Sequence, residues 1–316
     1  MQRCAHVVDN LTHSLVGALF GQSGLKRRTG LAMPALIIGA NLPDVDAACF
    51  FWLDGVQHLG FRRGITHGPI GWVLLPLILA GALWLFDRWQ ARRGKRPEGR
   101  LPVRFGWLYA LGFIACLTHP ALDWLNVYGV RFLEPLSSRW FYGDTLFIID
   151  IWLWVGLGFA TWLSLRREKR GGDWRRPARI AIVSGLAYVG VNAAITWIVE
   201  TTSGMSDPVA IASPVPLFFW QRDTILGDRN DWSVRDRAGT FPPFQPITDH
   251  SCAWPEVETL RRTNPNLDAF LFWSRAPFAE RAADGSVLLR DARFYDPRAK
   301  DRFTVALPDV KCEPLP

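Results

Sequence analysis

The stretch Thr118-His119-Pro120-Ala121-Leu122-Asp123 closes an apolar run that begins at Phe105. On a helix, His119 and Asp123 lie four residues apart, so their side chains leave the same face about 5–6 Å apart at Cβ. Ionisable groups inside a membrane are costly, usually face the interior of a helix bundle and often mark a functional site. By itself, the pair fits a hydrogen bond that joins two helices equally well. Its meaning therefore depends on partners elsewhere in the chain.

The composition is typical of a membrane protein. The 316 residues are 49% hydrophobic and include 16 Trp, a residue that favours membrane interfaces, and the mean hydropathy is +0.07. The first 200 residues carry 22 Lys and Arg against 13 Asp and Glu, whereas the rest carry 14 against 16. The basic excess lies in short loops between apolar runs, which indicates membrane topology rather than a nucleic-acid-binding surface. The five Cys show no C-x-x-C spacing, which argues against a zinc finger.

The apolar runs predict a mainly α, polytopic transmembrane helix bundle of about five spans plus a short N-terminal helix over residues 11–25. A run of roughly 20 residues suffices to cross the hydrocarbon core. The predicted spans cover residues 31–53, 68–89, 105–125, 145–165 and 180–199. The first span is interrupted by Asn41-Leu42-Pro43-Asp44-Val45-Asp46. A broken helix is tolerated in a membrane only where protein or a wet cavity surrounds it.

Residues 201–316 form a second predicted domain, separate from a transmembrane domain over residues 1–200. This part is rich in Pro, Asp and Arg, and its apolar runs are short. Residues 215–220 and 270–273 resemble strands, and Asp284-Gly285 is typical of a hairpin turn. We therefore expect a small β-rich extracytoplasmic domain, in which Cys252 and Cys312 would pair if the compartment is oxidising.

Charge bias predicts the side of the membrane on which each loop lies. The basic loops 88–104 and 166–179 should be cytoplasmic, which puts loop 124–144 and the domain after residue 200 outside. Following the chain through the spans puts six ionisable residues at the outer end of the bundle: His13, Asp44, Asp46, His67, His119 and Asp123. Charge bias and these residues are independent features of the sequence, so their agreement favours a site at the outer membrane–water interface.

Three His and three Asp at one depth predict a metal site. Imidazole and carboxylate are ligands for zinc and related divalent ions. A site that keeps a coordination position open lowers the pKa of bound water toward about 7, and mixed His and Asp sets also support two-metal sites acting on phosphate esters. The expected cofactor is therefore a divalent metal ion, zinc or alternatively manganese.

Further charged residues could complete such a site. The arginines predicted to face outward are Arg62, Arg63, Arg131 and Arg139. They could bind an anionic substrate by bidentate contacts, or they could contact lipid headgroups. Asp144 and Asp150 could orient a ligating His or cap helices.

Four motifs resemble the YdjM-type family, the LexA-binding, inner-membrane-associated metal-dependent hydrolases of bacteria. They are Thr12-His13-Ser14-Leu15, Leu42-Pro43-Asp44-Val45-Asp46, Arg63-Gly64-Ile65-Thr66-His67 and His119-Pro120-Ala121-Leu122-Asp123-Trp124-Leu125. The resemblance covers roughly residues 9–150 and implies a multi-pass protein of the bacterial inner (cytoplasmic) membrane. It implies ligand positions at His13, Asp46, His67, His119 and Asp123. Asp44, one residue from Asp46 in a broken helix, is either a further ligand or the general base.

The resemblance is incomplete at four positions. Arg62 and Ala47 stand where family members often carry His, and Gly68 stands where they often carry Ser, which weakens the case for a full two-metal set. Ile151 follows Asp150 where family members often have Pro. The resemblance also leaves residues 201–316 without a counterpart.

Together these features predict a membrane-bound metal-dependent hydrolase. Metal-activated water would attack a phosphate ester or a phospholipid headgroup at the outer interface. One alternative is a structural or signalling membrane protein in which the His and Asp residues hold helices together. Another is a transporter or proton-relay protein, since intramembrane His and Asp serve that role too. The lipid bilayer is an expected partner, and nucleic acid is not.

Overall fold

The computed structural model describes residues 10–203, 210–227, 232–235, 245–246, 251–294 and 300–314. The chain divides into two compact units. The helical unit comprises Val7–Asp46 and Arg63–Val191, and the second, called here the β unit, comprises chiefly Ala47–Arg62 and Asn192–Pro316.

The helices follow the apolar runs of the sequence. In chain order, the α-helices of the described residues are α1 (Asn10–Gln22), α2 (Ala32–Gly39), α3 (His58–Phe61), α4 (Pro69–Arg92), α5 (Phe105–Trp124), α6 (Ile151–Lys169), α7 (Arg175–Ser203), α8 (Glu258–Arg261) and α9 (Pro265–Trp273). Two 3-10 helices, Leu42–Phe51 and Ile65–His67, carry two of the polar motifs.

Among the described residues, three helices, α4, α5 and α7, are long and apolar enough to cross a membrane. α2 and the 3-10 helix Leu42–Phe51 would together make a fourth span, bent by 51° at the break between them. The predicted interruption of the first apolar segment is therefore present. Pro43 contributes to it, because proline has no N–H with which to continue the hydrogen bonding of α2.

Helix α6 is shorter than the span predicted over residues 145–165. It begins at Ile151, because the Asp150 side chain accepts a hydrogen bond from the Leu153 backbone N–H (2.9 Å) and caps the helix. The apolar part of α6, residues 151–165, therefore rises only about 22 Å, less than the ~30 Å hydrocarbon core. For this reason α6 is not among the helices that fit a span by length and composition, and the topology predicted from charge, which requires this segment to cross, stays a prediction.

Small residues bring the helices of the helical unit close together. The buried cluster of this unit contains five alanines, Ala32, Ala35, Ala40, Ala80 and Ala115. A Cβ at Gly17 would lie 2.5 Å from the Leu36 carbonyl oxygen, and one at Gly39 would lie 3.0 Å from the Gly112 carbonyl oxygen. Lipid tails are as apolar as leucine side chains, so close backbone packing of this kind is what holds helices together in a bilayer.

Two antiparallel sheets form the β-rich part of the β unit. The first has the order β1 (Ala210–Pro214), β2 (Arg222–Gly227), β3 (Trp232–Arg235) and β4 (Gln245–Pro246). The second has the order β5 (Pro277–Arg281), β6 (Ser286–Asp291) and β7 (Val305–Lys311). β5 and β6 pair around Asp284-Gly285, where Gly285 has a φ of 84°, so the predicted hairpin is confirmed.

Two strands predicted from the sequence are wrong. Residues 270–273 end helix α9, because Asn264 accepts hydrogen bonds from two backbone N–H groups and Pro265 takes the first helical position. Residues 215–220 instead form the turn region between β1 and β2, in which Leu217 has a φ of 70°. Both segments are rich in aromatic residues, which favour strands by composition while the local capping and turn chemistry favours another structure.

Residues 47–62 belong to the β unit although they lie among the transmembrane motifs in the sequence. The Val56 backbone N–H donates to Asn266 Oδ1 at 2.8 Å, and α3 packs against α9. The predicted division at residue 200 did not include this segment. Cys252 and Cys312 form a disulfide within the same unit.

A buried ion pair stabilises the β unit. The Asp291 carboxylate lies 2.7 Å from the Arg293 guanidinium and accepts a hydrogen bond from Ser274 Oγ at 2.6 Å. Burial alone would raise the pKa of Asp291, but Arg293 and Ser274 together hold it below its usual value. The carboxylate is therefore charged and fully paired, as a buried charge must be.

Candidate metal centre

Four segments of the helical unit bring the predicted residues together. They contribute His13 from α1, Asp44 and Asp46 from the 3-10 helix Leu42–Phe51, His67 from the 3-10 helix Ile65–His67, and His119 and Asp123 from α5. One ligand atom from each of Asp44, His67, His119 and Asp123 lies within 4.8 Å of the other three. We call these four residues the metal cluster.

A backbone carbonyl fixes the orientation of His119. Its Nδ1 lies 2.7 Å from the Ala40 carbonyl oxygen, just after α2 ends. Because a carbonyl oxygen only accepts, Nδ1 carries a hydrogen, and in the neutral ring, which is the form that binds a metal, Nε2 presents a lone pair. That Nε2 lies 3.5 Å from Asp123 Oδ2 and 3.7 Å from Asp44 Oδ2. A hydrogen bond behind the ring is the usual arrangement for a metal-ligating histidine.

A short relay fixes His67 in the same way. The Thr66 hydroxyl donates to Asp46 Oδ2 at 3.1 Å, so its oxygen is available to accept from His67 Nδ1–H at 2.9 Å. His67 Nε2 then presents its lone pair 3.2 Å from Asp123 Oδ2. Asp46 Oδ2 also accepts from the Arg63 backbone N–H at 2.8 Å. Asp46, predicted as a ligand, thus lies behind His67 and outside the metal cluster.

The two oxygens of Asp123 face different partners. Oδ2 faces the two histidines of the metal cluster. Oδ1 lies 3.1 Å from Arg63 Nη2, while Arg63 Nη1 donates to Asn126 Oδ1 and to the Gly129 carbonyl oxygen. Arg63 is buried and fixes the carboxylate from its far side. This position suits a counter-ion for Asp123 better than a group that meets a substrate anion.

His13 lies beside the metal cluster rather than within it. Its ring stacks on that of His119 with centroids 3.8 Å apart, and its Nε2 is 3.6 Å from Asp123 Oδ1. It is buried. The predicted ligand role of His13 therefore stays a prediction, with the ring in reach of Asp123 but on the Arg63 side of that carboxylate.

The donor set of the metal cluster fits a divalent cation. Among the described residues, His67 Nε2, His119 Nε2 and Asp123 Oδ2 are buried and have no hydrogen-bond partner. With the hydrogens of both histidines on Nδ1, these three atoms are acceptors that face one another. Each buried polar atom left unpaired costs about 1–3 kcal/mol, and a cation among them would remove that cost. Imidazole nitrogen and carboxylate oxygen are the ligands that zinc prefers alongside thiolate.

The other predicted arginines lie in varied surroundings. Arg131 is buried, with Nη1 3.5 Å from Glu134 Oε2, and its backbone N–H donates to the Arg63 carbonyl oxygen. Arg139 is exposed and lies over the Phe141 ring. Arg62 lies over the Phe50 ring within the β unit. Arg131, like Arg63, is buried and beside an acid, whereas Arg139 is exposed, and the predicted role of both loop arginines toward a substrate anion stays a prediction.

The two acids predicted to orient a ligating His, Asp144 and Asp150, have different surroundings. Asp150 caps α6 through Oδ1 and accepts from the Tyr188 hydroxyl through Oδ2 at 2.9 Å, so its alternative role as a cap is confirmed. Asp144 is buried in the loop before α6 with a φ of 46°, and its predicted role stays a prediction.

Two groups that position the metal cluster, Thr66 and the Ala40 carbonyl, were not predicted from the sequence. Thr66 precedes His67 in one of the motifs, and a hydroxyl next to a candidate ligand was a signal for it. The Ala40 carbonyl had no sequence signal, because any residue supplies a carbonyl oxygen.

Comparison with known proteins identifies one family. The model of the family described as YdjM inner membrane protein matches residues 8–199. This range contains all the residues of the metal cluster and its orienting groups. No curated protein and no solved structure matches the chain significantly.

Proposed function

The chain belongs to the YdjM family of inner membrane proteins, and from this premise we propose that it is a membrane-bound metal-dependent hydrolase. The observation that carries the proposal is the set of three buried acceptor atoms, on His67, His119 and Asp123, that face one another without hydrogen-bond donors among the described residues. Asp44 supplies the fourth candidate ligand. A bound zinc or manganese ion supplies the Lewis acidity that makes water a nucleophile at neutral pH.

The surrounding residues have distinct roles in this proposal. Thr66 and Asp46 hold the His67 ring, the Ala40 carbonyl holds the His119 ring, and Arg63 holds Asp123. Asp44 is the least buried member of the metal cluster. Asp44 is therefore the member best placed to take a proton from water, either as a ligand or as the general base.

The proposed substrate is a phosphate ester or a phospholipid headgroup at the outer membrane–water interface. Support comes from the charge bias of the loops, which puts the outer ends of α4 and α5 at this interface. The arginines that we assign to the substrate anion are those of the adjacent loop, Arg131 and Arg139. The Cys252–Cys312 disulfide supports an extracytoplasmic β unit, because disulfides persist in oxidising compartments.

Metal analysis of the detergent-purified protein tests the metal site. We expect about one equivalent of zinc or manganese in the wild type and its loss in His119→Ala, which deletes a ligand. The matched control is His58→Gln, a buried histidine of the β unit whose Nδ1 contacts the Gly55 carbonyl oxygen, and it should retain the metal. Folded wild-type protein that contains no metal, and binds none when zinc or manganese is added, would overturn the metal site and favour the structural alternative.

Hydrolysis is tested separately with bis(p-nitrophenyl) phosphate and with phosphatidylglycerol vesicles. A general-base role predicts that Asp44→Asn keeps the metal and loses turnover by 10²–10⁴-fold, whereas a ligand role predicts loss of both. Metal-loaded protein that hydrolyses neither probe would contradict the proposed substrate class. Proton or ion flux in proteoliposomes that His119→Ala abolishes would instead favour the transporter alternative.

A further inference from the structure

A second polar site lies in the helical unit, in the turn after α1 and the start of α7. It is a cavity of about 710 Å³ lined by four arginines, Arg27, Arg28, Arg175 and Arg179, and by apolar side chains that include Ile182 and Val183. None of these residues is a member of the metal cluster or one of the groups that orient it. Four guanidinium groups around one cavity would repel one another unless an anion is present.

The four guanidinium groups have no acidic partner within the described residues. None of them lies within 4.0 Å of a carboxylate, as the ion pairs of the described chain show. The neighbouring Lys26 is neutralised, since its Nζ contacts both oxygens of Glu168. Asp173 accepts a hydrogen bond from the Arg175 backbone N–H, which caps α7 and leaves the Arg175 side chain to the cavity. The cavity therefore has an uncompensated positive charge.

Aromatic rings and a carbonyl hold these side chains in place. The guanidinium carbons of Arg27 and Arg175 lie 5.4 and 5.2 Å from the centre of the Trp174 ring, and that of Arg28 lies 5.1 Å from the Trp107 ring. Arg179 Nε donates to the Ser23 carbonyl oxygen at 3.3 Å. A guanidinium that stacks on a ring keeps its N–H edge for a phosphate oxygen, and its limited freedom lowers the entropy cost of binding.

The apolar part of the cavity indicates what carries the phosphate. Ile182 and Val183 are on α7, a helix that is long and apolar enough to span the membrane. A free anion would not be stabilised by contact with these apolar side chains, whereas a phospholipid presents a phosphate and an acyl chain side by side. The charge bias of the sequence puts the basic loop 166–179 on the cytoplasmic side. The cytoplasmic leaflet contains anionic lipids, and basic pockets between helices on this side bind their headgroups.

We propose that this cavity binds the phosphate headgroup of an anionic phospholipid of the cytoplasmic leaflet. Arg27, Arg28, Arg175 and Arg179 contact the phosphate oxygens, and Ile182 and Val183 contact the first part of an acyl chain. The site is separate from the metal cluster, so it does not depend on the proposed hydrolase activity.

Lipid binding to the full chain in detergent, measured by native mass spectrometry, tests the proposal. The probes are dioleoyl phosphatidylglycerol, dioleoyl phosphatidylcholine and inorganic phosphate. We expect phosphatidylglycerol to bind at least tenfold more tightly than phosphatidylcholine. The Arg27→Gln/Arg179→Gln variant should bind phosphatidylglycerol at least tenfold more weakly than the wild type. The quadruple variant with Arg28→Gln and Arg175→Gln should lose the preference entirely.

The matched control is Arg88→Gln/Arg93→Gln. Arg88 lies near the end of α4, and Arg93 directly follows it. Both also stack on Trp rings, at 4.2 and 4.7 Å from the ring centres, so they reproduce the charge change away from the cavity. Equal losses in the control and in Arg27→Gln/Arg179→Gln would overturn the site and leave only general surface charge. Tight binding of inorganic phosphate that excludes the lipid would overturn the lipid assignment. An unchanged thermal unfolding temperature in detergent shows for each variant that the helical unit is folded.

Discussion

At the scale of single residues, the orientation of the histidines distinguishes a metal site from a helix-joining hydrogen bond. A histidine that joined α5 to another element through Asp123 would donate from Nε2. Here the Ala40 carbonyl and the Thr66 hydroxyl take the Nδ1 hydrogens instead, so in the neutral rings each Nε2 is an acceptor. Two acceptors facing the Asp123 carboxylate do not hold helices together unless a cation lies among them.

Thr66 gives the sharpest test at this scale. Thr66→Val removes the hydroxyl that links His67 to Asp46 and keeps the side-chain volume, so we expect zinc affinity to fall 10–100-fold. Thr66→Ser should restore most of it. The measurement is competitive zinc titration of the purified protein with a chromophoric chelator.

Thr118→Val is the control for this prediction. Thr118 precedes His119 as Thr66 precedes His67, but its hydroxyl donates to the Ala115 carbonyl oxygen within α5. Thr118→Val should therefore leave zinc affinity within about twofold of wild type. Equal affinities for Thr66→Val and Thr118→Val would show that Thr66 does not position His67.

At the scale of helices, the metal cluster depends on close backbone contact. α1, which carries His13, packs on α2, whose end supplies the Ala40 carbonyl to His119. Gly17 makes this approach possible, because a Cβ there would lie 2.5 Å from the Leu36 carbonyl oxygen. This oxygen belongs to the backbone of α2, so it cannot move away from an added Cβ as the end of a flexible side chain could.

Gly17→Ala should therefore push α1 and α2 apart and destabilise the helical unit by roughly 1–3 kcal/mol. We also expect lower metal content, because the shift displaces the Ala40 carbonyl behind His119. Gly158→Ala in α6 is the control, since a Cβ there meets nothing within 4 Å. Thermal unfolding in detergent and metal analysis measure both effects. If the two variants melt at the same temperature, the contact between α1 and α2 is not tight.

At the scale of the whole molecule, the two units differ in how they are held together. The helical unit relies on small residues and buried polar contacts, whereas the β unit has a sheet core, a buried Asp291–Arg293 pair and a disulfide across 60 residues of sequence. Closing a loop of that length stabilises the folded unit by about 4 kcal/mol through the entropy of the unfolded chain. A disulfide persists in an oxidising compartment, so this difference agrees with the proposed extracytoplasmic β unit.

Thiol counting in a Cys4→Ala background tests the predicted side of the β unit. Protein denatured directly from cells should react with maleimide at two cysteines, Cys49 and Cys116, which are not in a disulfide, and at four after reduction. A cytoplasmic β unit would be reduced in the cell, so four reactive thiols before reduction would contradict the topology. Cys252→Ser serves as the control, because it should expose Cys312 to the reagent.

The positions of the site residues could be predicted from the sequence because the membrane imposes them. Apolar runs must be helices, basic loops stay on one side, and a proline with two carboxylates breaks a span. The family match over residues 8–199, the broken helix and the approach of His67, His119, Asp123 and Asp44 agree with those predictions. The strand predicted at residues 270–273 is wrong. The composition of this segment fits a strand or a helix, and the cap at Asn264 favours the helix.

By itself, the sequence determined that this is a helical membrane protein with His and Asp residues in its apolar segments. Residue type and spacing suffice for that, since both follow from the cost of placing polar groups in lipid. Only the tertiary structure decided which acid is a candidate ligand and which orients a histidine. Asp44 and Asp46 are two residues apart and alike in chemistry, yet the Thr66 hydroxyl and the Arg63 N–H occupy Asp46 while Asp44 faces His119. That choice depends on contacts between segments distant in sequence, which spacing along the chain does not encode.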